Sequence, residues 1–189
     1  IGPTLAMGCV FGGFLAYLSA SQTIFQSFYG VGEMFAYIFA TLAFSIGLAS
    51  FINSKIVMRL GMYRVTQVAL IGSVVFAVIF LGIIEIFDGL PPLVVTIGSL
   101  FIGFFFVGLL FGNLNAMAMH PLGDMAGLGA AIIGSLSSII AVLVATTVDS
   151  FLTKDLFPIG AGFLVFFTLA FIIIRLSLQR PDKPAESLS

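Results

Sequence analysis

The sequence predicts an all-α polytopic membrane protein of six transmembrane helices, and three observations carry that expectation. Mean hydropathy is +1.25 and 60% of the 189 residues are hydrophobic. Only 8% are charged, against roughly 25% in a soluble domain, too little polar surface to cover a globule in water. Finally, apolar runs of ~20 residues or more, the length that crosses a bilayer, alternate with short polar or Gly/Pro-rich stretches.

Other classes fall away on the same inventory. Net charge is −1 with no basic patch, so no nucleic-acid partner is expected. A single cysteine, Cys9, precludes an intrachain disulfide and any cysteine-rich metal framework; in an apolar helix it reads as a small hydrophobe. There is one histidine, His120, beside Pro121 in a connection, where a solvated role is expected. No HExxH, Ser/His/Asp or Cys/His set can be assembled. The chain is therefore not read as an enzyme, and no catalytic residue, metal or cofactor is expected. An apolar helical pattern is already running at Ile1, without the parts of a signal peptide. The chain is expected to be the later part of a longer polypeptide.

The first apolar segment covers residues 3–26. It carries Gly8, Gly12, Ala16 and Ala20 in one i,i+4 row, and small residues let helix backbones approach closely in lipid. Tyr17, Ser19, Ser21, Gln22 and Phe25 gather toward its end. After SFYGVG comes the second segment, 32–54, whose row of Ala36 and Ala40 breaks at Phe44. Glu33 reads as a solvated first-turn residue suited to a helix N-terminus. The stretch NSKIVMRLGMYR, residues 53–64, follows. Asn53 is expected to end the helix, Arg59-Leu60-Gly61 to make a short excursion, and Arg64 to open the next segment. Gly61 permits a tight turn.

The third segment, 65–87, is rich in large aliphatics (VVFAVIFLGII), as is the sixth, 156–176 (FLVFFTLAFIII). Both are read as outer, lipid-facing helices. The fourth, 92–117, carries Gly108 and Gly112, and its end carries Asn113 and Asn115. The fifth, 125–148, has two small-residue rows, Gly127–Ala131–Ser135 and Ala130–Gly134–Ser138, with Ser137 alongside. Residues 1–176 make one bundle on this reading, and 177–189, containing RPDKPAESLS, have the composition of a disordered cytoplasmic tail.

Orientation follows from cations, which are retained on the cytoplasmic side. With residues 53–64 inside, alternation places Lys55, Arg59, Arg64, Arg175, Arg180 and Lys183 inside, six of the seven, and leaves only Lys154 outside. Glu33, Glu85, Asp88, Asp149 and Asp155 fall outside. Both termini then face the cytoplasm of a multi-pass plasma-membrane protein. No ionisable side chain lies in the middle of a span, so the usual sign of a proton or cation relay is missing from this chain.

Three runs bring a resemblance: GGFLAYLSASQTIFQSFYGV, then FATLAFSIGLASFINSKIVMRLG, then GNLNAMAMHPLGDMAGLGAAIIGSLSS. In this order they resemble the second half of a major facilitator superfamily transporter, and within it the bicyclomycin-resistance (Bcr/CflA) branch of the drug:proton antiporters. The Arg59-Leu60-Gly61 turn resembles the second copy of the superfamily's loop motif, with Asn53 and Arg64 flanking it. No carboxylate lies between Gly47 and Arg59, so the motif's acidic end is missing.

The resemblance implies two six-helix halves moving by rocking alternating access, and export of a hydrophobic small molecule in exchange for protons. The partners implied are the lipid bilayer and an N-terminal six-helix half. The first, second, fourth and fifth helices would line the cavity, with Tyr17, Gln22, Phe25, Asn113 and Asn115 as candidate contacts. A small-metabolite or sugar facilitator of the same fold, and a non-transporting six-helix scaffold, are the alternatives that the residues leave open.

Overall fold

The computed structural model describes residues 2–120, 126–152 and 155–178. All regular structure among them is helical: α1 (Gly2–Gln22), α2 (Phe35–Leu60), α3 (Met62–Ile86), α4 (Leu93–Met119), α5 (Ala126–Asp149) and α6 (Phe157–Leu178). Each is long and apolar enough to cross a membrane. The chain is an all-α, multi-pass membrane bundle. Most of the expected tail, together with Lys154, Arg180 and Lys183, lies outside the described residues.

Close approaches at glycine fix the helix directions. A Cβ placed on Gly12 would lie 2.5 Å from Val144 Cβ, and one on Gly8 would lie 2.8 Å from Ile140. Residue numbers rise together, so α1 and α5 run parallel. A Cβ on Gly108 would lie 2.8 Å from Ala49 Cβ and 2.9 Å from the Ile46 carbonyl oxygen, while Gly112 faces Asn53. This makes α2 and α4 parallel. Gly160 meets Ile84 while Phe163, further along, meets Phe80 and Phe76, so α3 runs antiparallel to α6. The glycine rows of α1 and α4 therefore do what their spacing predicts.

The rows of α5 do not. Gly127, Ala130, Ala131, Ser135 and Ser138 are exposed, and the face turned to α1 carries Ser137, Ile140, Ala141 and Val144 instead. α2 shows the same pattern. It buries Ile38, Leu42, Ser45 and Ala49 against α4 and exposes Ala36, Ala40, Ala43, Gly47, Ser50 and Ser54. That exposed set steps 4-3-4-3-4, a continuous stripe of small side chains.

α1 packs on α4, α5 and α6, while α4 packs on α1, α2 and α3. These two helices form the centre. Between them and the outer helices runs an aromatic core: Phe163 of α6 meets Phe167 at 5.3 Å, Phe76 at 5.9 Å and Phe104 at 6.5 Å between centroids. α3 and α6 turn large aliphatics outward, among them Val68, Val75, Ile79, Val165, Leu169 and Ile172, in keeping with the expected lipid-facing role.

The segment 53–64 corrects the expected turn. Asn53 does not end α2, which continues for two further turns through Lys55 and Arg59 to Leu60. Lys and Arg are good helix formers and cations suit a helix C-terminus, so charge here is no reason for the helix to stop. Only Gly61 leaves helical geometry, at φ 78° and ψ 151°. α3 opens at Met62, with Arg64 already in its first turn.

At the opposite end α1 does not stop at Gln22. It continues as a π-helical turn, Thr23–Phe28, followed by Gly30 and Gly32 with positive φ. The Tyr29 hydroxyl lies 2.6 Å from the Pro91 carbonyl oxygen, to which it donates, and 2.6 Å from Thr96 Oγ1. This clasp ties the end of α1 to the start of α4.

Candidate functional site

The expected cavity residues fall at three levels of the bundle. Tyr17 is midway along α1, only 1% exposed, with its ring edge-on to Phe104 at 4.6 Å and beside Phe14 at 6.3 Å. Its hydroxyl is buried and has no hydrogen-bond partner among the described residues. A buried polar group left in that condition costs about 1–3 kcal/mol.

Gln22 lies nearer the Tyr29 end. It is exposed and donates to Gln26 Oε1 at 3.1 Å, and with Ser19, Thr23 and Gln26 it forms an exposed polar strip on α1. Phe25 is fully enclosed, 6.1 Å from the Tyr29 ring and 6.4 Å from Phe35. In this conformation it is core. Burial pushes the nearby Tyr29 hydroxyl up from its ordinary pKa, and the hydrogen bond with Thr96 works against that shift.

Asn113 and Asn115 are nearer the Gly61 end. Nine residues separate Phe104 from Asn113, about 14 Å along a helix that rises 1.5 Å per residue. The structure thus does not bring the asparagines to Tyr17. Asn113 is buried and donates from Nδ2 to Asn53 Oδ1 at 2.8 Å and to the Leu109 carbonyl at 2.8 Å. It works as a polar fastener between α4 and α2. Asn115 is exposed. In the loop motif, Arg59, Gly61 and Arg64 are exposed as well, and Lys55 Nζ sits 4.6 Å above the Phe51 ring.

Around Tyr17 the structure adds residues that the sequence did not single out. A cleft of about 240 Å³ opens between α1 and α2, lined by Phe14, Leu18, Phe39, Leu42, Ala43 and Phe104 together with Tyr17. It exists because α1 and α2, though consecutive, do not pack closely; both lean on α4 instead. Phe39 and Ala43 stand exposed at its mouth, while Tyr17, Leu42 and Phe104 make the floor. A larger groove of about 510 Å³ lies between α5 and α6, walled by Val148, Phe151, Phe157 and Val165 with Asp155 at its rim. It contains none of the expected residues and no orphaned polar atom among those described. No cluster of three His, Cys, Asp or Glu suited to a metal occurs among the described residues.

Two curated proteins resemble the chain in sequence. An uncharacterised MFS-type transporter of Bacillus subtilis, YdgK, is 27% identical over 178 residues, 89% of this chain and 43% of that protein. The chain is similar to major facilitator superfamily transporters. A bicyclomycin resistance protein homologue of Haemophilus influenzae is also 27% identical, over 79% of this chain and 37% of its own length. The major-facilitator-like chain spans less than half the length of these relatives, and six membrane-length helices fit one half of such a domain. No protein-family profile matches the chain, and no solved structure matches it.

Proposed function

We propose that the chain is the C-terminal six-helix half of a multidrug efflux transporter that exchanges a hydrophobic small molecule for protons by alternating access. The observation that carries this reading is the pair of bare small-residue stripes on α2 and α5. Buried stripes of this kind pack α1 on α5 and α4 on α2. The exposed ones suit a second six-helix body, and membrane helices associate through small residues of this sort. The likeness to a bicyclomycin resistance protein homologue supports bicyclomycin-like drugs as substrates.

In this reading the cavity lies between the halves. Gln22 and Asn115 contact substrate directly, Tyr17 does so through the α1–α2 cleft, and Phe25 and Asn113 hold the walls. The Gly61 turn, with Lys55, Arg59 and Arg64, faces the cytosol of the inner membrane, and both ends of the chain lie on that side. Asp and Glu are absent from the middle of every span, so the proton-binding carboxylate belongs to the other half.

The test is to join this chain to a matching first half in a drug-susceptible host. Regained resistance with proton-dependent efflux is expected. A fusion that reaches the membrane and gives no gain over empty vector refutes the reading. Competition by sugars or small metabolites rather than by drugs would assign the chain to a facilitator.

A further inference from the structure

The α1–α2 cleft combines two features that bear on what it can hold. Its walls are aromatic and aliphatic, with no charged side chain among them. Tyr17 forms part of its floor, and the Tyr17 hydroxyl is the one buried side-chain polar atom without a partner among the described residues. The first feature rewards an uncharged apolar body. The second rewards a group that accepts a hydrogen bond, since the hydroxyl can rotate to present its hydrogen.

We infer that this cleft is a subsite for a neutral, ring-sized apolar group bearing a carbonyl or ether oxygen, which accepts a hydrogen bond from Tyr17. This deepens the transport reading by naming the chemistry one part of the substrate must have. The dimensions agree. An apolar cavity of ~150 Å³ holds benzene, and about 240 Å³ holds a substituted ring. The aromatic faces are already engaged with one another, Phe14 and Tyr17 both edge-on to Phe104 at 5.2 and 4.6 Å. That arrangement leaves no open cage for a cation. A lipid acyl chain would fill the space yet leave the hydroxyl unpaired.

The site is reached from the α2 side, between Phe39 and Ala43. Floor residues Leu42 and Phe104 set the depth, and Leu18 and Phe14 close the α1 side. Recognition by a hydrogen bond to a group that otherwise has none discriminates strongly, because a molecule without the acceptor leaves the donor stranded.

The experiment uses a matched pair of probes, 4′-fluoroacetophenone and 4-fluoro-α-methylstyrene. They share a shape and differ in C=O against C=CH₂. Binding to the full chain in lipid nanodiscs is followed by fluorine NMR, and the ketone-to-alkene affinity ratio is compared with that of Tyr17→Phe, which removes only the hydroxyl. The ratio is expected to fall about five- to tenfold in the variant. Ala43→Leu, filling the mouth, is expected to abolish binding of both probes. An equal ratio in wild type and Tyr17→Phe overturns the inference, and so does binding that ignores Ala43→Leu. The two levels separate cleanly. A fallen ratio without drug efflux keeps the subsite and removes the antiporter, whereas efflux with an unchanged ratio keeps the antiporter and removes the subsite.

Discussion

Replacing Gly108 by alanine tests the packing that holds the cleft open at its base. The added Cβ would sit 2.8 Å from Ala49 Cβ, 2.9 Å from the Ile46 carbonyl oxygen and 3.1 Å from Ile46 Cα. Carbon atoms prefer about 3.5–4.0 Å, so α2 must retreat by roughly 0.7 Å or more. Two of the three atoms are backbone, and no rotamer change relieves them. Overpacking of this kind costs about 1–3 kcal/mol, against the ~1 kcal/mol that alanine gains over glycine in a helix. A net loss of up to about 2 kcal/mol lowers Tm by up to roughly 8 °C for a chain of this size.

Cys9 supplies the assay. It is the single cysteine, and it is buried in α1, so a thiol-reactive dye reports unfolding in detergent without labelling the native state. Gly82→Ala and Gly98→Ala are the comparison, because nothing lies within 4 Å of a Cβ at either position. They are expected to hold Tm or raise it. If Gly108→Ala melts with these two, the α2–α4 approach is not close and the reasoning fails.

Three further outcomes are expected. Gly61→Ala should cost about 1–3 kcal/mol, since φ 78° with ψ 151° is nearly closed to residues with a Cβ; nothing lies within 4 Å of the position, so the same melting assay should give equal losses for alanine and serine. Tyr29→Phe should lower stability by about 1–2 kcal/mol through loss of the bonds to Pro91 and Thr96, and combining it with Thr96→Val should cost less than the sum of the two, as a double-mutant melt would read. Arg59→Cys, in a Cys9→Ala background, should react with a membrane-impermeant maleimide only in inside-out vesicles; labelling of intact cells would reverse the orientation.

Length and composition made the six spans legible, since a bilayer imposes its thickness on any helix that crosses it. The segment 53–64 looks like a turn in sequence because of its charge, whereas Lys55 and Arg59 are content in a helix and only the backbone of Gly61 is not. The α2 stripe is hidden in the sequence for a geometric reason. An i,i+4 row breaks at Phe44, but a face that steps alternately by four and three passes through Ala43 and Gly47 and stays small. Rows in α1 and α5 look alike in sequence, and nothing local says that one is buried and the other bare. Tyr17 was legible as a polar residue in a span. Its unpaired hydroxyl and the walls around it were not, because Phe39, Leu42 and Phe104 come from helices whose neighbours only tertiary packing decides.

The parallel contact of α1 with α5 has a consequence for biosynthesis. Ile140 and Val144 emerge from the ribosome about 130 residues after Gly8 and Gly12, which they touch, roughly 7–26 s later at ordinary elongation rates. Throughout that interval the glycine face of α1 lacks its α5 partner. Nascent chains halted after α4 should accordingly keep that face open to crosslinking from outside the protein, and release it only once α5 has been threaded into the bilayer.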